Sequence, residues 1–206
     1  MKIKHIVITR LLSRVMGNNT KEQILERSNV MHRLGYLVGH VIPTLNNQTN
    51  TDFEFVVVVH PELDCSIFYD VSRMISSAEP RFKVNVVPAD SHLDQFISQF
   101  WETNDIVILT RTDDDDFVNK YAVQEVRDTI GDGDFQLISC GYSNGYKYSE
   151  GDSEITHFTH DYKGNGHMSV FFSMVCNTKR MKYTPRMNPI SIRHTKVYET
   201  LGKLGY

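Results

Sequence analysis

The feature that most constrains this chain is Phe53–His60, the run FEFVVVVH. Six of its eight residues are apolar and four in succession are valine. A strand of this kind is buried on both faces, as in the interior of a parallel sheet. The surrounding pattern agrees. Ile3–Thr9 reads as a β-branched strand, and Lys21–Ile42 as a helix ended by Pro43 and weakened at Gly35 and Gly39. Cys65–Ser77 is helical, Phe82–Val87 is a strand ended by Pro88, and Ser91–Trp101 is a helix with Leu93, Phe96, Ile97 and Phe100 on one side. Asp105–Thr110 is a strand, Phe117–Ile130 a helix and Phe135–Cys140 a further strand. The alternation predicts an α/β fold, a doubly wound and mostly parallel sheet with helices on both faces. Residues 141–166 are rich in Gly, Tyr, Ser and His and read as hairpins and loops; His167–Cys176 is strand-like and Arg193–Leu204 a short helix. We therefore expect one domain over 1–206, with a smaller, hairpin-rich second half from 131.

Ligands of doubly wound sheets bind at the carboxyl ends of the strands. The strand Asp105–Thr110 leads there into Arg111-Thr-Asp-Asp-Asp-Asp116. Each close pair of adjacent carboxylates repels by on the order of 1 kcal/mol or more. One aspartate suffices to cap a following helix, and the helix dipole favours each negative group by only about 0.3–1 kcal/mol. Capping thus accounts for Asp116, or at most for Asp115 and Asp116, and leaves the others unexplained. A hard dication, Mg²⁺ or Mn²⁺, held by one or two carboxylates, substrate phosphates and water, explains the run. In an extended D-x-D turn the first and third side chains share a side, which makes Asp113 and Asp115 the metal ligands. The alternative is a solvated acidic loop. An EF-hand is excluded, because no Gly or closing Glu stands at the required spacing.

Two segments carry a family resemblance. Val41-Ile-Pro-Thr-Leu-Asn-Asn-Gln-Thr-Asn-Thr-Asp-Phe-Glu-Phe-Val-Val-Val-Val59 resembles the Ser-Leu-x-x-Gln-Thr-x-x-x-Phe-x helix-to-strand junction of GT-A glycosyltransferases. Arg111–Asp116 resembles the Arg-Leu-Asp-x-Asp-Asp motif of the rhamnosyltransferase-like group, whose first strand is similar to His5-Ile-Val-Ile-Thr-Arg10. Thr44 and Thr112 replace the usual Ser and Leu. The resemblance spans about residues 3–130 and implies a GT-A (Rossmann-like) fold and a nucleotide-diphosphate sugar donor. It implies that Asp113 contacts the ribose or the metal, that Asp115 is the main metal ligand, and that Asp116 orients the sugar or a metal-bound water. Thr9 and Arg10 would lie by the nucleotide. Arg111 would pair with the acidic cluster or the diphosphate. A C-terminal histidine ligand is common in such enzymes, and His194 is the candidate.

The remaining expectations are weaker in the sequence. From Asn177 to Tyr206 there are seven basic residues and one acidic, although the whole chain of 206 residues carries −3. Such a segment can neutralise a leaving diphosphate or contact a nucleic-acid backbone. His157, His160 and His167 could line an acceptor site. An inverting transfer needs a carboxylate base; Asp152, Glu154 and Asp161 are available, and Asp161, flanked by His160 and Tyr162, is preferred. The expected acceptor is a glycan, with a modified DNA base as the minor reading. A binding module without turnover is the competing class. A nucleotidyltransferase fits less well, because Val15–Thr20 is a poor phosphate loop. Cys65, Cys140 and Cys176 form no disulfide or zinc pattern and read as buried thiols. No signal sequence and no apolar stretch of roughly 20 residues is present, which points to a cytoplasmic location.

Overall fold

The valine run forms strand β2 (Glu54–Val59), and all six of its residues are buried. It lies inside a six-stranded sheet ordered β3-β2-β1-β4-β8-β5, with β1 at Ile3–Leu11, β3 at Lys83–Pro88, β4 at Ile106–Asp113, β5 at Phe135–Ser139 and β8 at Phe172–Asn177. The computed structural model describes residues 1–12, 20–139, 142–148, 155–161 and 171–184. β1 to β4 pair in parallel, whereas β8 is antiparallel to both β4 and β5. β6 (Tyr142–Tyr148) and β7 (Ile155–Asp161) form a separate antiparallel hairpin. The expected α/β, mostly parallel sheet is therefore present. From the second half, β8 inserts between β4 and β5 and completes the same sheet.

Period-two alternation divides the strands between two cores. On one face Val7, Leu11, Phe55, Val57 and Ile108 meet α2 (Arg27–Tyr36), α4 (Cys65–Ser77) and α6 (Ala122–Asp128). On the other, Ile6, Ile8, Val56, Val58, Val107 and Leu109 meet α5 (Ser91–Trp101). α4 buries Ile67, Val71 and Ile75, and α5 buries Leu93, Ile97 and Trp101. Residues four apart share a helix face, so one apolar stripe docks each helix. Trp101 Nε1 donates to the Met181 carbonyl at 2.9 Å, tying the chain after β8 to α5.

Several local expectations are corrected. The helix predicted over Lys21–Ile42 is four pieces: α1 (Lys21–Leu25), α2, a π turn (Leu37–Val41) and α3 (Ile42–Asn46). Thr20 caps α1 in a capping box with Gln23, and Glu26 breaks the run in an extended conformation. Pro43 does not end the helix. The Ile42 N–H bonds the Leu37 carbonyl across the π turn, and Pro43 falls in the first turn of α3, where no helical donor is required. β4 runs three residues past the expected Thr110, because β1 supplies partners as far as Arg10 opposite Asp113. α6 starts at Ala122, not Phe117, because the backbone between them bonds to α3 and its exit, as described below. Cys176 is a buried thiol as expected, but Cys65 is exposed at the start of α4; Cys140 and Arg193–Leu204 lie outside the described residues.

Candidate functional site

β1 has β2 on one side and β4 on the other, so the strand order reverses between β1 and β4. The carboxyl ends of these strands form the switch point at which such sheets bind ligands. The alternation that puts Ile6 and Ile8 on the α5 face puts Arg10, Arg111 and Asp113 there too. Arg111 is 1% exposed and donates to Asp113 Oδ1 from Nη2 at 3.0 Å and from Nε at 3.3 Å. Arg10 Nη2 approaches the same oxygen at 3.6 Å. Thr9, opposite Thr112, faces the other way: it is fully buried, with no hydrogen-bond partner for Oγ1 among the described residues.

The next three carboxylates occupy three different environments. Asp114 is 2% exposed and is held by Arg33 of α2 through Nε to Oδ2 at 2.8 Å and Nη2 to Oδ1. Burial raises the Asp114 pKa above the usual carboxylate range, against the pull of Arg33. Asp115 is exposed and takes one bond, from Arg33 Nη1 at 3.1 Å. Asp116 turns back to close the loop: Oδ2 accepts from the Asp113 N–H at 2.6 Å and from Thr112 Oγ1 at 3.3 Å. Burial, reinforced by the charges of Asp113 and Asp115, pushes Asp116 up to about 7. The mutual repulsion foreseen for the run is thus relieved by three arginines, one of them 81 residues distant in sequence.

The Thr44–Phe53 junction clamps the segment after the acidic run. Thr44 Oγ1 accepts from the Val118 N–H at 3.3 Å. Gln48, 3% exposed, donates to the carbonyls of Thr44 at 3.2 Å and Asn119 at 2.8 Å, and accepts from the Val123 N–H at 3.2 Å. The Thr49 N–H bonds the Lys120 carbonyl at 2.9 Å. These bonds satisfy backbone groups that a helix from Phe117 would otherwise pair internally.

The profile of a family described as "Putative rhamnosyl transferase" matches residues 16–201. The chain belongs to this rhamnosyl transferase family. A comparison with curated protein sequences gives no match. Among solved structures, S. aureus TarS 1-349 is similar at 15% identity and a TM-score of 0.36, covering 61% of this chain and 31% of that one. The same protein in complex with UDP-GlcNAc gives 15% and 0.34, covering 62% and 30%. A 4-diphosphocytidyl-2C-methyl-D-erythritol synthase gives 16% and 0.44, covering 99% and 86%. This rhamnosyl transferase family member thus spans about a third of the TarS chains it matches.

Of the residues expected at the site, Arg10, Arg111 and Asp113 meet at the β1–β4 edge, whereas Asp115 pairs with Arg33 of α2. Thr9 reaches the edge through its backbone only. Asp161 ends β7 opposite Tyr142, and its side chain, like those of His157 and His160, lies outside the described residues, as do Asp152, Glu154, His167 and His194 entirely. The start of the basic segment is elsewhere than expected. Because β8 is antiparallel, Asn177 delivers the chain to the amino end of β4, where Lys179 pairs with Asp105 at 2.6 Å and Arg180 with Asp134 at 2.7 Å. Two open cavities of about 450 and 550 Å³ lie there, away from the acidic run.

No group of three or more His, Cys, Asp or Glu side chains arranged to hold a metal occurs among the described residues. The donors that are present suit a hard dication that takes only one or two ligands from protein: Asp115 is exposed, and Asp113, two residues before it, is partly exposed. The two face different arginines. Arg33, Gln48 and the anchoring of Asp114 were not predicted. Gln48 alone had a sequence signal, its place in the junction motif.

Proposed function

We propose that the chain is a glycosyltransferase that moves a sugar from a nucleotide-diphosphate donor to an acceptor hydroxyl. The observation that carries this reading is the pairing of two guanidiniums, Arg10 and Arg111, with the Asp113 carboxylate at the β1–β4 switch point, two residues before the exposed Asp115. Family membership supports it. Arg10 and Arg111 would bind the diphosphate and stabilise the negative charge that grows on it as the sugar departs. Asp115, with Asp113, would hold Mg²⁺ or Mn²⁺, and His194 would add a ligand. When bound, such an ion supplies Lewis-acid neutralisation of the diphosphate. Asp161 would take the acceptor proton. Among the described residues, Lys179 and Arg180 are spent on acidic partners at the far edge of the sheet, which favours a glycan over DNA as the acceptor. A cytoplasmic location belongs to the same proposal; no helix among the described residues is long and apolar enough to cross a membrane.

Thermal unfolding with uridine, guanosine and thymidine diphosphates, with and without Mn²⁺, tests the donor site. At least one diphosphate should raise the midpoint by mass action only when Mn²⁺ is present. Equal stabilisation in excess chelator refutes the metal-bridged mode. Stabilisation by none of them refutes the donor site.

A further inference from the structure

The outer face of α2 and the π turn carries features that the β1–β4 edge does not use. His32, Tyr36 and His40 recur every four residues and so form one stripe. The His32 and Tyr36 rings meet edge-on at 4.9 Å, Tyr36 and His40 stack at 5.9 Å and 26°, and His40 meets Phe117 at 5.1 Å. Phe117 is 58% exposed and Tyr36 36%. The ridge is therefore ordered ring against ring, yet two of its large apolar side chains remain in water.

Gly35 and Gly39 lie beside this stripe, also four apart and both exposed. A Cβ added to either would meet nothing within 4 Å. Glycine weakens a helix relative to alanine, and no packing contact requires it at these positions. Gly39 lies four residues before Pro43, where a bare backbone eases the π turn. Gly35 has no such role. Bare backbone along a row of rings lets a flat ligand approach closely.

The ridge is continuous with the acidic run. Arg33, one turn before Tyr36, places its guanidinium 5.9 Å from that ring while holding Asp114 and Asp115. Phe117 follows Asp115 by two residues. We infer that the Tyr36–His40–Phe117 ridge binds a saccharide ring of the acceptor, an inference that rests on the transfer reading above. The hydroxyl that receives the sugar must be held within bonding distance of the donor carbon, so its carrier sits against the acidic run. The apolar C–H face of a pyranose packs on Tyr36 and Phe117, and the ring nitrogens of His32 and His40 meet its hydroxyls.

The test is ligand-observed saturation-transfer NMR on the full chain, without donor or metal, using the methyl glycosides of glucose, galactose, N-acetylglucosamine and rhamnose. At least one glycoside should receive saturation from the wild-type protein. Tyr36→Ala and Phe117→Ala should each weaken its binding about fivefold or more, the loss expected for one aromatic contact. Gly35→Ala, which favours the helix and so keeps the protein folded, should weaken it too. Nucleoside-diphosphate binding with Mn²⁺ is measured on the same variants and should be unchanged. The inference is overturned if no glycoside binds the wild type, or if the three variants bind it normally. It is also overturned if the variants lose diphosphate binding instead, which assigns the ridge to the donor's base. Failure of the wild type to bind any diphosphate sinks the transfer reading separately.

Discussion

Arg33→Gln tests the assignment of Asp114 as the buried anchor of the acidic run. In the native protein both Asp114 oxygens are engaged by Arg33, and the carboxylate is 2% exposed. Removing one partner of a buried ion pair costs about 3–5 kcal/mol, because the other charge is left uncompensated. The Arg33 side chain is 31% exposed, so solvent screens part of the interaction and we expect about 2–3 kcal/mol. In a chain of this length, each kcal/mol moves the midpoint by about 2–4 °C, so the fall should be roughly 4–12 °C. The loss should also depend on pH. Burial already raises the Asp114 pKa, and Arg33 is the main influence opposing that rise. Without Arg33 the native carboxyl holds its proton to still higher pH. A carboxyl with a raised native pKa favours the folded state only while protonated, so stability declines as pH rises from the unfolded value through the native one. The deficit of the variant should therefore be smallest at low pH, where Asp114 is protonated in both states, and should grow as pH rises. Asp114→Asn in the same background removes the buried charge and should restore most of the loss. Denaturant titrations of the four proteins at several pH values read both effects. A deficit independent of pH, and not relieved by Asp114→Asn, would refute the reasoning.

Three further outcomes follow from the same geometry. Asp115→Asn should abolish sugar transfer while the unfolding midpoint stays level or rises slightly, because Asp115 is exposed and its charge adds to the repulsion in the run; retained transfer in a donor-turnover assay contradicts the ligand role. Asp116→Asn keeps an oxygen to accept the Asp113 N–H but removes a carboxyl held at about 7. Its stability should exceed that of the wild type at pH 8, where the buried wild-type group is charged, and the difference should vanish towards pH 4, as read by urea titration. Gln48→Leu strips partners from the Asn119 carbonyl and the Val123 N–H. It should cost about 2–3 kcal/mol by chemical denaturation, the cost of leaving buried backbone groups unpaired, and a loss below about 0.5 kcal/mol would remove the junction from this role.

Strand and helix positions were legible where burial is periodic. β2 is apolar from Phe55 to Val59 because helices cover both of its faces, and α4 and α5 each repeat an apolar residue every fourth position. Direction was not legible: FFSMVC reads as a strand, but nothing in an apolar run says that it pairs antiparallel or that it returns between β4 and β5. That insertion carries Lys179 and Arg180 away from the edge where a basic tail would neutralise a diphosphate. The π turn was equally hidden. Gly39 and Pro43 mark a disturbed helix, but only the bond from Ile42 to Leu37 shows that the helix resumes and does not stop. Likewise, α6 begins late because distant partners, Thr44, Gln48 and Thr49, take up the backbone before it.

The location of the site was readable and its charge balance was not. Alternation rightly sends Asp113 and Asp114 to opposite sides of the turn, but it suggests that the intervening Asp114 is the idle one. In the fold its side is the interior, and Arg33 waits there. A count of letters gives four carboxylates; the structure sets three guanidiniums against them and pushes Asp116 towards neutrality near pH 7. The cluster is therefore close to electroneutral before anything binds, and this decides what it can take. On the proposed metal-bridged reading, a lone dication would compete with the arginines that hold Asp113 and Asp115. A lone diphosphate meets arginines already engaged and carboxylates that repel it. A dication and a diphosphate arriving together would satisfy both sets, because arginines released from the carboxylates would be free to bind the diphosphate. The steep interdependence of metal and nucleotide expected here thus follows from the three arginines as much as from the four aspartates. It would be weakened by Arg10→Gln or Arg111→Gln even though neither residue is a metal ligand.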